Sequence, residues 1–225
     1  MKTIAVAGEG RFPLFTEGLR FEEFLNGSAT DAELLRKRLQ EVRLTRAQQL
    51  RLSLYPDTLH FLVLLGADDP DTVAVLPILA AMVAASPRLD LRIIADDGDL
   101  SWVSQAADEV DPDDDLNDMD LPLLLIFDEE WTVQESWGPR PEQAEAQLDA
   151  WLETRPQFEE LADDESEAGQ AAYAKLLEEL THTMRLWYNS GVAEACVDEI
   201  LALLDAILRN EDEDEDEDED ADASS

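Results

Sequence analysis

The apolar and polar positions of the chain alternate in blocks that predict an α/β domain over residues 57–155. Leu59 to Leu65 is an almost unbroken apolar run, which is typical of a buried parallel strand. Small and apolar residues from Pro70 to Ala85 predict a helix, and Leu89 to Ala95 predicts a second strand. A weaker helical pattern follows from Leu100 to Ala107.

The second half of this domain begins after an acidic loop over residues 108–120. Leu121 to Phe127 predicts a third strand, and Thr132 to Trp137 predicts a fourth. Pro139 and Pro141 end that strand and begin a helix that runs to Glu153. The predicted order is therefore strand, helix, strand, helix, strand, strand, helix.

Regions on both sides of this domain have a helical or polar pattern. Residues 1–56 predict an N-terminal helical extension, and residues 169–209 predict a C-terminal pair of helices. Residues 156–168 are polar and acidic, which indicates a linker. Residues 210–225 include a strict alternation of Glu and Asp, and we expect this tail to be disordered because it has nothing apolar to bury.

The charge of the chain is strongly uneven. The formal net charge is −38, with nine Lys or Arg against seven Asp or Glu in residues 1–56 and seven against 47 in residues 57–225. Such acidity opposes binding to nucleic acids and anionic membranes, which are themselves polyanions. The six cationic residues between Arg36 and Arg51 are read as a solvated face that complements the acidic body.

The chain has no apolar run long enough for a membrane span or a signal peptide, so cytoplasm is the expected location. Three lysines and abundant Asp also suit a halophilic host, in which the acidity would be adaptation rather than recognition.

Two segments carry a family resemblance. Trp137-Gly138-Pro139-Arg140-Pro141 follows the fourth strand, and Met184 to Tyr188 precedes Glu199-Ile200-Leu201 near the end. On these residues the chain resembles the thioredoxin superfamily, within a bacterial cytosolic thioredoxin-like branch, over roughly residues 15–209. The resemblance implies a thioredoxin-like α/β fold with a central four-stranded mixed sheet and a cis peptide bond before Pro122.

The turn before the first core helix lacks the residues that this family uses for catalysis. The resemblance places the two cysteines of the Cys-x-x-Cys pair at Asp69 and Thr72, and the preceding aromatic residue at Asp68. Asp69 can instead cap the helix, Pro70 occupies its first turn, and Asp71 faces the positive end of the helix dipole. Because a carboxylate cannot attack a disulfide, the resemblance predicts no thiol chemistry at this turn.

Cys196 is the chain's only cysteine and leaves one redox alternative open. A thiol-disulfide protein could in principle use this single thiol. Its spacing with Val192, Ile200 and Leu203 places it on the apolar face of the last helix, where burial would suppress reactivity.

No metal or cofactor is expected. Asp111, Asp113, Asp115 and Asn117 alternate as in a calcium loop, but Leu116 stands where that loop needs glycine. His60 and His182 have no second ligand at metal-binding spacing and are interpreted as structural.

The sequence therefore predicts a redox-inactive thioredoxin-like protein that serves as a protein-binding or scaffold module. The predicted groove comprises the former active-site turn and the proline strand, with the residues Asp68, Asp69, Pro70, Asp71, Leu121 and Pro122. A third alternative is an acidic protein that binds basic partners. The sequence names no partner and no oligomeric state.

Overall fold

The structure is a computed structural model that describes residues 15–27, 31–66, 69–95 and 121–222, with side chains described as far as residue 210. Four strands form one mixed sheet in the order β2-β1-β3-β4. The strands are β1 Leu59–Leu65, β2 Leu89–Ala95, β3 Leu123–Phe127 and β4 Val133–Trp137. β1 pairs with β2 in parallel and with β3 antiparallel, and β3 pairs with β4 antiparallel. The four-stranded mixed sheet predicted from the sequence is confirmed.

β1 and β2 have the bounds that the sequence predicts, whereas β3 begins two residues later than predicted. The Leu121–Pro122 peptide bond is cis, as the resemblance implied. Because Pro122 has no backbone N–H to donate to the sheet, regular pairing starts at Leu123.

Eight α-helices surround the sheet in the described part of the chain. They are α1 Phe21–Gly27, α2 Ala32–Glu41, α3 Arg46–Ser53, α4 Pro70–Ala84, α5 Glu142–Glu153, α6 Gln157–Ala162, α7 Glu167–Trp187 and α8 Ala193–Asp222. The short helix α6 lies within the acidic stretch that was interpreted as a linker. The predicted helix at 100–107 and the acidic loop at 108–120 lie outside the described residues.

Both faces of the sheet are apolar. The larger core lies between one face and helix α4, and it includes Phe61, Val63 and Ile93 from the strands. A smaller cluster on the other face contains Phe15, Leu62 and further strand residues. The near-continuous apolar sequence of β1 follows from this two-sided burial.

The N-terminal extension packs into the same core as the sheet. Leu35 of α2, Leu52 of α3 and Tyr55 are buried members of the larger cluster. Leu19 exchanges two backbone hydrogen bonds of 2.9 Å with Ile93 and so extends the sheet beyond β2.

The two C-terminal helices are joined by a π-helical turn, Tyr188–Val192, in which Gly191 has a φ of +125°. Cys196, Ile200 and Ile207 of α8 are buried in the larger core. The backbone of α8 remains helical through the Glu/Asp tract to Asp222. Like charges at i,i+4 destabilise such a helix in solution, and disorder of the tail there stays a prediction.

Candidate functional site

The turn at Asp69–Thr72, where the resemblance placed the family's cysteines, is a helix cap. Asp69 precedes α4, and its Oδ1 accepts a hydrogen bond of 3.1 Å from the backbone N–H of Asp71. Its Oδ2 accepts from the Thr72 backbone N–H at 2.9 Å and from the Thr72 hydroxyl at 3.0 Å. The predicted cap is confirmed. Burial raises the pKa of Asp69, and these hydrogen bonds act against that shift.

This cap removes the feature that activates a thiol in such a turn. A helix N-terminus stabilises a thiolate through unpaired N–H groups and the positive end of its dipole. At α4 the carboxylate of Asp69 already binds two of these N–H groups. The described part of this turn therefore has no sulfur, and its cap binds two of the N–H groups that would activate one.

Asp71, in the first turn of α4, is fixed by an arginine from a distant loop. Arg140 donates from Nε to Asp71 Oδ1 at 3.0 Å and from Nη2 to Asp71 Oδ2 at 2.6 Å. Arg140 Nη1 also donates to Glu145 at 2.6 Å. The Asp71 side chain is only 5% exposed. Burial raises the pKa of Asp71 to about 6, although the bonds from Arg140 favour the ionised form.

The Trp137–Pro141 loop that carries Arg140 is fixed at both ends by Glu199 of α8. Trp137 Nε1 donates to Glu199 Oε2 at 3.1 Å, and the backbone N–H of Glu142 donates to Glu199 Oε1 at 3.0 Å. The loop thus connects the start of α4 to the last helix. Sequence reasoning identified its residues as a family marker but did not predict these contacts.

Gly138 lies at the closest approach between this loop and Pro122. Its φ is +141°, and a Cβ added there would lie 2.2 Å from the Pro122 carbonyl oxygen. Pro122 itself is buried. These contacts give Pro122 an architectural role as the support on which the loop packs.

A groove opens beside the cap on the other side of α4. Its volume is about 380 Å³. α4 and its cap provide one side, and α2 and α7 provide the others; the lining residues are Asp31, Leu34, Arg38, Asp69, Pro70, Val73, Glu178, Thr181, His182 and Arg185. Of the residues predicted for the groove, Asp69 and Pro70 line it. Pro122, Leu121 and Asp71 do not line it, and Asp68 lies outside the described residues.

The two arginines of this groove are paired by one carboxylate, that of Glu41, which does not itself line the groove. Glu41 binds Arg185 and also accepts from Arg38 at 2.6 Å. The Arg185 hydrogen bonds lower the pKa of Glu41 to about 2, with smaller contributions from Asn189 and Arg38. This network ties α2 to α7 and leaves Asp31 and Glu178 without an ion-pair partner among the described residues.

His182 was interpreted as structural, but it is exposed and lines the groove. The position of His182 in the groove could not be predicted from periodicity, because the apolar spacing of α7 does not indicate that this helix packs against α4. His60 lies on the sheet, where its ring stacks on Trp131 with centroids 4.2 Å apart.

Cys196 is fully buried, as its spacing predicted. Burial raises the pKa of its thiol well above the usual value, and the negative charge of Glu199 adds to the shift. Within the described ranges, no group of His, Cys, Asp and Glu side chains is arranged to hold a metal ion. No helix of those ranges combines the length and hydrophobicity that a bilayer crossing requires.

Residues 18–152 match the protein family described as thioredoxin. The chain belongs to this thioredoxin family. The match spans the N-terminal helices, the sheet and α5, and it includes residues 68–72, which contain no cysteine.

Two solved structures share this fold. A protein of unknown function from Pseudomonas aeruginosa is 22% identical, with a TM-score of 0.54 over 86% of this chain and 95% of that one. An HIV epitope-scaffold is 20% identical, with a TM-score of 0.54 over 87% of this chain and 97% of that one. No curated protein matches this chain.

Proposed function

We propose that this thioredoxin-family protein is redox-inactive and binds a segment of a partner protein in the groove beside Asp69 and Pro70. The observation that carries the proposal is the open groove of about 380 Å³ at the former active-site turn. Leu34, Pro70 and Val73 offer apolar contact, and Asp31 and Glu178 offer carboxylates that have no ion-pair partner in the part of the chain that the structure describes. This lining favours a segment that combines an apolar side chain with a basic one.

The chemistry of the turn supports the loss of redox function. A mixed disulfide requires a nucleophilic sulfur, and Asp69 and Thr72 supply only oxygen. The alternative, a reaction at Cys196, requires access to a thiol that is fully buried and whose pKa is raised. A lone cysteine gives no support for an oxidising compartment, so we retain the cytoplasm as the proposed location.

An insulin-reduction assay tests the redox part of the proposal. We expect no turnover above background for the wild type or for Cys196→Ala. Turnover that disappears in Cys196→Ala would favour the single-thiol alternative. Turnover that persists in this variant would overturn the interpretation of the turn itself.

Site-specific photocrosslinking in cells of the native host tests the binding part. A benzophenone amino acid replaces Thr181 inside the groove or, as a control on the same helix, exposed Lys175. We expect a discrete adduct from position 181 that is absent from position 175. Glu178→Arg, a change at the exposed rim of the groove, should abolish this adduct. An adduct that persists in the Glu178→Arg variant would contradict the proposal that the partner binds in this groove.

A further inference from the structure

Helix α3 has apolar side chains on two opposite sides, and only one side is used by the fold. Leu52 is fully buried in the core. Leu50 and Leu54 point away from it and are 58% and 70% exposed, although each is a large apolar residue. Residues four apart are neighbours on a helix surface, so Leu50 and Leu54 form one apolar strip.

One arginine continues this strip toward the start of α3. Arg46 lies four residues before Leu50 and is exposed. Arg46 has no ion-pair or hydrogen-bond partner among the described residues. We call Arg46, Leu50 and Leu54 the outer face of α3.

Stability of the helix does not explain Arg46. A cation in the first turn opposes the helix dipole, and α3 has no acidic residue there. Other cations of this region do serve the fold. Arg51 binds Asp205 at 2.6 Å, and Arg38 binds Glu41. The interpretation of this region as a complement to the acidic body therefore holds for Arg51, which binds α8, and not for Arg46.

The outer face is a basic and apolar surface on a chain whose net charge is −38. A polyanion such as nucleic acid or an anionic membrane would meet repulsion from the 47 acidic residues after residue 56. A short acidic segment can contact this face without covering the acidic body of the domain. It would place a carboxylate on Arg46 and apolar side chains on Leu50 and Leu54.

We propose that the outer face of α3 is a docking site for an acidic, amphipathic helical segment of another protein. The groove beside Asp69 lies between α2, α4 and α7 and includes no residue of α3, so the two sites are independent. Leu50 and Leu54 bind the apolar stripe of the partner helix, and Arg46 fixes its direction and excludes basic sequences.

A designed peptide tests this proposal directly. The probe is a fluorescein-labelled peptide of roughly 18 residues, long enough to form a helix, with leucines on one face and glutamates elsewhere. A scrambled peptide of the same composition lacks the apolar face. Fluorescence anisotropy with the full chain at about 0.15 M salt should show binding of the amphipathic peptide and not of the scrambled one.

Matched variants distinguish binding at the outer face from a general effect of lost surface hydrophobicity or lost positive charge. Leu50→Ser with Leu54→Ser, and separately Arg46→Glu, should each weaken binding by about tenfold or more. Leu186→Ser is the apolar control because Leu186 is 53% exposed on α7, and Lys175→Glu is the charge control. Both controls should bind as the wild type does.

Three results would overturn the proposal. The first is no binding at protein concentrations up to about 1 mM. The second is an equal loss in the control variants. The third is a different occupant: a dimer in sedimentation that Leu50→Ser with Leu54→Ser dissolves, or vesicles of phosphatidylcholine and phosphatidylglycerol that bind the wild type and not that variant.

Discussion

Arg140 and Asp71 lie 69 positions apart in the sequence and meet in a two-point contact of 3.0 and 2.6 Å. The contact joins the loop after β4 to the first turn of α4, between the two positions, Asp69 and Thr72, at which the resemblance placed the family's cysteines. It makes this end of the molecule a rigid structural junction.

Replacing Arg140 should be strongly destabilising. Arg140→Ala leaves the carboxylate of Asp71 buried without its cation, and we expect the free energy of unfolding to fall by about 3–5 kcal/mol in urea titrations. Glu145→Ala is the matched control, because Glu145 is 52% exposed and should contribute no more than about 1 kcal/mol. Equal losses in the two variants would contradict the proposed importance of the buried contact.

The pKa of Asp71 predicts a specific pH dependence. Its folded value of about 6 exceeds the usual 3.8, so the native state binds the proton more tightly than the unfolded state. The stability that this proton contributes is complete below pH 3.8 and is lost as pH rises through 6. The free energy of unfolding of the wild type, relative to Asp71→Asn, should therefore fall by roughly 2–3 kcal/mol between pH 4 and 7. A difference that grows with pH would show that Arg140 outweighs burial.

Glu41 should behave in the opposite way. Its folded pKa of about 2 lies below the usual 4.5, so its stabilising contribution is present above pH 4.5 and is lost as pH falls toward 2. We expect the wild type to be more stable than Glu41→Gln at pH 7 and the difference to shrink between pH 5 and 3. Glu33→Gln, on the same helix in an exposed position, should show no such trend.

Two glycines with positive φ allow the cost of a strained backbone conformation to be measured apart from the cost of a steric clash. Gly191→Ala has open space around the new Cβ and should lose only the conformational term, of order 1–3 kcal/mol. Gly138→Ala has the same term and also forces a carbon to 2.2 Å from the Pro122 oxygen, so its loss should be larger. Thermal unfolding of both variants measures the difference, and a smaller loss at Gly138 would argue against tight packing of the loop on Pro122.

Deletion of residues 211–225 should leave the fold intact. The segment contains eleven carboxylates and no large apolar side chain, so it offers the core nothing to bury. At moderate salt we expect a change within about 0.5 kcal/mol, and at low salt a small gain because self-repulsion falls. A melting temperature lower by many degrees would mean that the tract stabilises the domain through contacts of its own.

The sequence predicted the elements that have a clear period and missed the contacts between them. β1 and β2 were predicted at their true bounds because each is an uninterrupted or alternating apolar run between clear breaks. The cap at Asp69 was predicted because capping is local. The pairing of Arg140 with Asp71 was not, since periodicity carries no information on which distant residues meet.

The same reasoning applies to two residues of the candidate site. Pro122 was assigned to the groove by resemblance; in the structure the loop at Gly138 packs against it, and a binding role for Pro122 stays a prediction. His182 was set aside because it had no metal-ligand neighbour in sequence, whereas the packing of α7 against α4 brings it to the groove. Both outcomes depend on the arrangement of helices around the sheet, which the pattern of one helix cannot determine.

The two hydrogen bonds between Leu19 and Ile93 also bear on how the chain can be divided. They occupy backbone groups of β2 that would otherwise form an open sheet edge, which is a template for aggregation. A fragment that began at residue 57 would lose this protection and would uncover the core surface that Leu35 and Leu52 now fill. The extension and the sheet should therefore unfold in one cooperative transition, and expression trials should keep the N-terminal helices attached.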